Sequence, residues 1–430
     1  MVNWHGFDPT FSTLPILFDV EAVAQLFSPH RLAATTDQER IAALVLQRCV
    51  RREIDYRPPT RCLATYTLTL ADGAGQTSTT TGVVAITAQG THCYLYTEDQ
   101  QLPWLPHALK PVTMQARLQE LLPPPQRIEH CTVTPIRYKP ADRCTLRYDL
   151  TTTAGETSLF GKLWATADHQ IMDNLTTLST MLASTSAPLR IPQPLAYWPE
   201  WHMLLQRAVP AGTELHRAGF DPKQASSVRE AWFYAAGMAT ATLHNLPSIG
   251  SQRTCLADDV KLLDEYLAAM QQAMPTLVPA YLDAVTALGV AASQAELPFV
   301  PSHGALRTDQ FLFDPQGHFY LIDLDSFCES SPARDLGNFL AYLHWKARRQ
   351  PQDAAFIQRA GTTFLEGYAS TRPLPPAAWL NRYQATSLLK IAGRRFRALA
   401  HTEWPLLPHL LQEVHDLLSP NAIAVWQIES

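Results

Sequence analysis

Residues 303–325 constrain the fold more than any other stretch of this chain. They begin with the polar run His303-Gly304-Ala305-Leu306-Arg307-Thr308-Asp309-Gln310 and continue into Phe311-Leu312-Phe313. After Asp314-Pro315-Gln316-Gly317 comes a second apolar run, Phe319-Tyr320-Leu321-Ile322, ending in Asp323-Leu324-Asp325. Pro and Gly between two short apolar runs mark the turn of a hairpin. A polar loop therefore leads into one strand, and a pair of carboxylates leaves the other. A rigid hairpin that fixes an amide and a carboxylate relative to one another suits a divalent cation carrying phosphate.

Composition removes several alternatives. A chain of 430 residues can bury a large core and implies two to three domains. With 46% apolar and 17% charged residues it is globular rather than disordered. A net charge of -5 gives no electrostatic case for nucleic acid or an anionic membrane as partner. The seven cysteines are scattered, with no Cys-x-x-Cys, which suits reduced thiols and a cytoplasmic location. No basic-then-apolar leader and no apolar run approaching a membrane span is expected. The 15 histidines show no ligand spacing for a catalytic zinc.

Texture changes along the chain. Helical periodicity is weak over Val20–Phe27 and Gln38–Val50. From Arg51 to Ser186 the pattern is β, with alternating Thr-rich runs and turns at Ala71-Asp72-Gly73 and Ala154-Gly155. Beyond Asp221 it is helical, over Val228–Asn245, Asp258–Gln272, Asp335–Arg348 and Pro375–Leu399. The β half repeats itself. Tyr56-Arg57-Pro58-Pro59-Thr60-Arg61-Cys62 with Tyr66 recurs as Tyr138-Lys139-Pro140-Ala141-Asp142-Arg143-Cys144 with Tyr148. Gly75-Gln76-Thr77-Ser78 recurs as Gly155-Glu156-Thr157-Ser158. This reads as a duplicated antiparallel unit. Between the copies, Leu102–Pro106 and Leu121–Pro125 read as a rigid connection around one short helix.

Only the second copy carries a lysine on its last strand. In Ser158–Trp164, alternation places Phe160, Lys162 and Trp164 on one face. A lysine between two aromatics is either exposed on a half-solvated sheet face or, if buried, calls for an anion. Arg143, at the preceding hairpin turn, can supply forked donors to phosphate, although that turn contains no glycine to cradle one. Trp201–Gly212 is an apolar strand ending in a turn.

Taken in order, these pieces resemble the aminoglycoside phosphotransferase and choline kinase-like family. The sequence of parts is Lys162 on a strand, the Gln206–Ala208 strand end, the helix ending Leu243-His244, the 303–310 loop, Asp323-Leu324-Asp325, and Pro332-Ala333-Arg334-Asp335. The resemblance covers about Ile136 to Leu343. It implies an α+β, two-lobed protein kinase-like fold with a β-rich N-lobe and a helical C-lobe, preceded by the duplicated β-rich module. The implied divisions are residues 1–125, 126–210 and 211–430. It further implies ATP and Mg²⁺ as cofactors and a small hydroxylated metabolite as substrate. Nucleotide would be bound by Lys162, Arg143, Gln206 and Ala208, and metal by Gln310, Asp323 and Asp325. The family's loop reads His-Gly-Asp and later Asn; here Ala305 replaces the Asp and Gln310 the Asn. Asp309 and Arg307 are then the loop's candidates for catalysis. Asp173 is the candidate partner of Lys162. Asp335 is expected to cap its helix and, by the resemblance, to buttress the loop. Three classes stay open: a phosphotransferase acting on a sugar or amino alcohol, a pseudokinase that binds nucleotide without turnover, and an interaction module that keeps only the fold.

Overall fold

The computed structural model describes residues 3–27 and 44–419, apart from 169, 186, 210–211, 295–296 and 315. Strands β1 (Val45–Arg57), β2 (Arg61–Ala71), β3 (Thr77–Thr87) and β4 (Gly90–Leu95) form an antiparallel meander in sequential order. A second antiparallel sheet contains β5 (Ile128–Lys139), β6 (Arg143–Thr152), β7 (Gly155–Trp164), β8 (Pro194–Trp198) and β9 (Met203–Arg207). Its order is β5-β6-β7-β9-β8.

The first three strands of the two sheets share order and register. Tyr56 faces Cys62 as Tyr138 faces Cys144. A register shift between Leu46 and Arg48 recurs between Ile128 and His130. The likeness also reaches the helical segments in front of each sheet. The Tyr56 hydroxyl donates to Asp8 at 2.5 Å and that of Tyr138 to Asp99 at 2.7 Å. The Tyr66 hydroxyl donates to the Leu17 carbonyl at 2.9 Å and that of Tyr148 to the Ala108 carbonyl at 3.0 Å. Helix α1 (Val20–Leu26) follows the first tether and α2 (Pro111–Gln119) the second. Residues 102–118 are therefore not a connection: Leu102, Leu105, Met114 and Leu118 share a core with Leu146, Tyr148 and Leu163 of the second sheet. Ala85 faces Leu63 in the first copy where Lys162 faces Thr145 in the second. The first copy thus has a methyl group at the position of the ammonium.

Two helical expectations need correction. Residues 38–43 of the Gln38–Val50 segment lie outside the described residues, and from Val45 the chain is β1. The bulge between Leu46 and Arg48 shifts the alternation, which made a strand read like a helix. Asp258–Gln272 is two helices, Leu256–Lys261 and Leu267–Ala273, separated by a 3₁₀ turn over Leu262–Tyr266.

Helix α3 (Ile171–Ala183) lies between strands of the second sheet. The longer helices of the second half are α4 (Ser226–His244), α5 (Val278–Ala292), α6 (Pro332–Arg349), α7 (Ala354–Ala369), α8 (Ala377–Arg397) and α9 (Leu407–Leu418). Pro275–Ala292 is long and apolar enough to cross a membrane by length and composition, which the sequence reading did not anticipate. Its Tyr281, Ala284 and Leu288 lie in the core that joins the first sheet to the helices. Tyr56 and Tyr66 of the first sheet share that core with Leu388 and Phe396 of α8 and Leu410 of α9. The junction also carries charge. Buried Arg397 of α8 donates to Asp55 of β1 at 3.0 Å and pairs with Glu265 at 3.2 Å. The duplicated module is therefore fastened directly to the helical half.

Candidate active site

Two small sheets hold the loop. Strand β10 (Val300–Ser302) pairs with β13 (Cys328–Ser330), and β11 (Phe311–Phe313) pairs with β12 (Phe319–Leu321). Asp314 closes the hairpin by accepting from the His318 amide at 2.8 Å and the Gln316 amide at 3.0 Å. The loop start is pinned from beneath. Fully buried Asp335 accepts from the His303 amide at 2.6 Å and the Gly304 amide at 2.8 Å. His244, at the end of α4, meets the same carboxylate at 3.2 Å and Tyr368 at 3.0 Å. Ser331, not Asp335, caps α6, because Pro332 takes the first helical position and leaves Asp335 facing inward. The buttress expected for Asp335 is present and the cap is not.

His303 rests its Nε2 against the Ile322 carbonyl at 2.9 Å, so that nitrogen carries the proton. Burial holds its imidazole below the usual range and keeps it neutral. Gly304 has φ of +82°. A Cβ there would lie 2.0 Å from the Ser326 carbonyl oxygen. Gly304→Ala should therefore cost about 3 kcal/mol or more, because strain and overpacking act together. Chemical denaturation measures it, and a loss under about 1 kcal/mol would show that the loop is not held at Ser326.

Alternation along β7 behaves as expected. Leu159, Gly161 and Leu163 are turned to the core, and Phe160, Lys162 and Trp164 are half-buried on the other face. Lys162 Nζ donates to Asp323 Oδ1 and to Asp325 Oδ1, each at 2.7 Å. Asp323 makes this possible through its left-handed backbone, φ 63° and ψ 46°. The chain reverses there into a short 3₁₀ turn, which brings both carboxylates to the same ammonium. Burial would raise the Asp323 carboxyl, but the Lys162 ammonium, its hydrogen bond and then Arg143 hold it well below the usual carboxylate range. Asp173 is exposed on α3, and the aspartates take the lysine in its place.

These groups border a cleft of about 970 Å³ between the second sheet and the loop hairpin. Arg143, Lys162, Gln206, Ala208, Arg307, Asp309, Gln310 and Asp323, all named from sequence, line it. Asp325 is not among the lining residues and joins them through Lys162. Several details differ from the expected layout. The Ala208 amide donates to the Ser158 carbonyl at 2.9 Å, so it is not available to a base. The Ala141 amide, in the turn before Arg143, donates to Asp99 at 2.8 Å. Gln310 Oε1 accepts from the Arg307 amide at 2.7 Å and keeps its second lone pair. Arg307 Nε meets Asp309 at 3.1 Å, so the loop's two candidate catalytic groups face each other. The site fits a hard divalent cation. Asp325 Oδ2 is buried without a hydrogen-bond partner among the described residues, and the nearby donors Asp323 and Gln310 also offer oxygen.

Sequence reasoning missed the residues behind the loop. Glu214 carries a carboxyl raised by burial and then by Asp309. The Nδ1 of His216 lies 2.7 Å from the Thr308 hydroxyl. The only signal for either was their position just after the Pro210-Ala211-Gly212 turn, of which Pro210 and Ala211 lie outside the described residues.

The profile of the phosphotransferase enzyme family designated APH matches residues 145–374, more than half of the chain. The chain belongs to this phosphotransferase family. The match runs from β6 through the lysine strand, the loop and α7, so the fold is kinase-like, with the β-rich module in front of the match. Among solved structures the chain is similar to amicoumacin kinase hAmiN in complex with AMP-PNP and Ca²⁺. That similarity is at 16% identity and TM-score 0.49, over 67% of this chain and 90% of that one. It is similar to a glucosamine kinase at 13% identity and TM-score 0.44, over 96% and 97%. It is also similar to a choline/ethanolamine kinase family protein from Mesorhizobium loti at 15% identity and TM-score 0.44, over 65% and 88%. No curated protein sequence matches the chain.

Proposed function

We propose that this family member is an ATP- and Mg²⁺-dependent phosphotransferase acting on a hydroxyl group of a small metabolite. The observation that carries the reading is the meeting of Lys162, Asp323 and Asp325 at 2.7 Å beside a cleft lined by Arg143 and Gln310. An interaction module that kept only the fold would have no need of this arrangement, because clustering charges at low exposure is costly without a ligand.

In this reading Lys162 and Arg143 bind the nucleotide phosphates. Asp323, Asp325 and Gln310 would hold the metal, which would supply positive charge to the phosphates. The acceptor oxygen forms a bond to the γ-phosphorus as the bond from that phosphorus to the bridging oxygen breaks. ADP leaves with the electron pair. The hydroxyl proton goes to Asp309, the only carboxylate in residues 303–310. Positioning and charge carry most of phosphoryl transfer, so the Ala305 loop can still work, more slowly.

Ala305 also favours a second reading, a pseudokinase that binds nucleotide without turnover. Both readings require nucleotide, which separates them from the interaction module. MgATP at millimolar concentration should raise the melting temperature, since a ligand selective for the folded state stabilises it by about 2.7 kcal/mol at 100 times its Kd. Asp323→Ala should remove the Mg²⁺-dependent part of that shift. A wild-type protein indifferent to MgATP would contradict both nucleotide readings.

A further inference from the structure

A second cavity lies behind the loop. It is about 380 Å³ and is walled by α6 and α8, with Tyr342, Trp345, Lys346, Arg349, Arg394 and Arg395 among its lining residues. Four of these six side chains are cations. Glu403 answers two of them, meeting Arg349 at 2.8 Å and Arg395 at 3.1 Å. Arg394 donates to the Tyr342 hydroxyl at 2.6 Å, and Lys346 lies 4.3 Å from the centre of the Phe220 ring. Arg395 Nε is buried with no hydrogen-bond partner among the described residues. The field reaches the phenol. Burial would raise Tyr342, but Arg394 and Arg307 outweigh it and bring it below its usual range.

The cavity shares a wall with the cleft. Arg307 lines the cleft and lies 5.3 Å from the Tyr342 ring of the second cavity. His216, which also lines the second cavity, touches Thr308 in the loop. A molecule seated there lies next to the loop, through Arg307 and His216.

Resting on the proposed phosphotransfer, we propose that this cavity is the acceptor subsite and that the acceptor carries an oxyanion, a phosphate or carboxylate, beside the hydroxyl that receives the phosphoryl group. Forked guanidinium donors match either anion, and the Trp345 and Tyr342 rings offer an apolar wall to the carbon skeleton. The same charges repel an amino sugar or amino alcohol, so the pocket selects against cationic acceptors as well as for anionic ones.

The test has two parts. In the first, inorganic phosphate is added to the nucleotide-free protein in a thermal melt. The wild type should be stabilised. Lys346→Met and Arg394→Gln should each abolish the response, and Lys162→Ala should keep it. A response lost in Lys162→Ala alone would place the anion in the cleft and overturn the proposal, as would no response at tens of millimolar. In the second, ATP consumption is followed with a neutral sugar, an amino alcohol, a sugar phosphate and a sugar acid. Turnover should favour the anionic acceptors, the sugar phosphate and sugar acid separating the two oxyanions. Lys346→Met should lower kcat/KM for them about tenfold to a hundredfold, mainly through KM, with the MgATP melting shift unchanged. Preference for the amino alcohol would overturn the assignment. If phosphate binds the second cavity but MgATP shifts nothing, the phosphotransferase reading fails while the anion site itself stands.

Discussion

Asp335→Ala should destabilise the protein by about 3–5 kcal/mol, the usual cost of removing one partner from a buried charged network. The carboxylate is fully buried and accepts two backbone amides at the start of the loop, with His244 at the same oxygen as one of them. Its loss leaves the His303 and Gly304 amides without acceptors, each costing about 1–3 kcal/mol. Urea denaturation would measure the change. A loss below about 1 kcal/mol would mean that the hairpin, not the carboxylate, fixes the loop. The same group gives acid sensitivity. Burial would raise the Asp335 carboxyl, but His244 and the loop amide hold it below its usual value. A depressed acid contributes stability above its unfolded pKa of about 3.9 and loses it as pH falls through the folded value. His303, depressed by burial, adds a loss that begins higher, as pH falls below the unfolded histidine value of about 6.5, because only the unfolded chain then takes up the proton. Stability should therefore decline in two stages on acidification, and Asp335→Ala should flatten the lower one.

Ala305→Asp should have the largest effect on turnover. If the protein is a weakened kinase, the new carboxylate supplies a proton acceptor, and activity on a suitable acceptor should rise by up to about 10²–10⁴-fold. If Asp309 already serves, native activity is measurable and the substitution lowers it through repulsion with Asp323. If the protein is a pseudokinase, neither form consumes ATP above background, although both bind it. Single-turnover assays with anionic and neutral acceptors separate these results. Tight MgATP binding with no turnover in either form would replace the phosphotransferase reading by the pseudokinase.

Lys162, Asp323 and Gln310 were legible because local chemistry marks them. A lysine on a strand face, a hairpin turn and a carboxylate pair each follow from spacing of a few residues. The repeat was legible for the same reason, through the motifs at Tyr56 and Tyr138. Its helical parts were not. Asp8 and Asp99 share only their tether to a tyrosine hydroxyl, a contact made across 48 and 39 residues that leaves no local pattern.

Sequence alone determined the order of parts, the location of the loop, and the lack of a loop aspartate at Ala305. Tertiary structure decided which groups meet. Lys162 takes Asp323 and Asp325 rather than Asp173 because a left-handed turn at Asp323 points both carboxylates at β7. Asp335 faces the loop because Ser331 caps the helix in its place. The cationic cavity needs α6 and α8 side by side, which brings Lys346 and Arg394 together across 48 positions of sequence. Each helix read alone shows a solvated basic end of the kind that suits a helix C-terminus. Only packing turns two such ends into one pocket lined by Lys346, Arg349, Arg394 and Arg395.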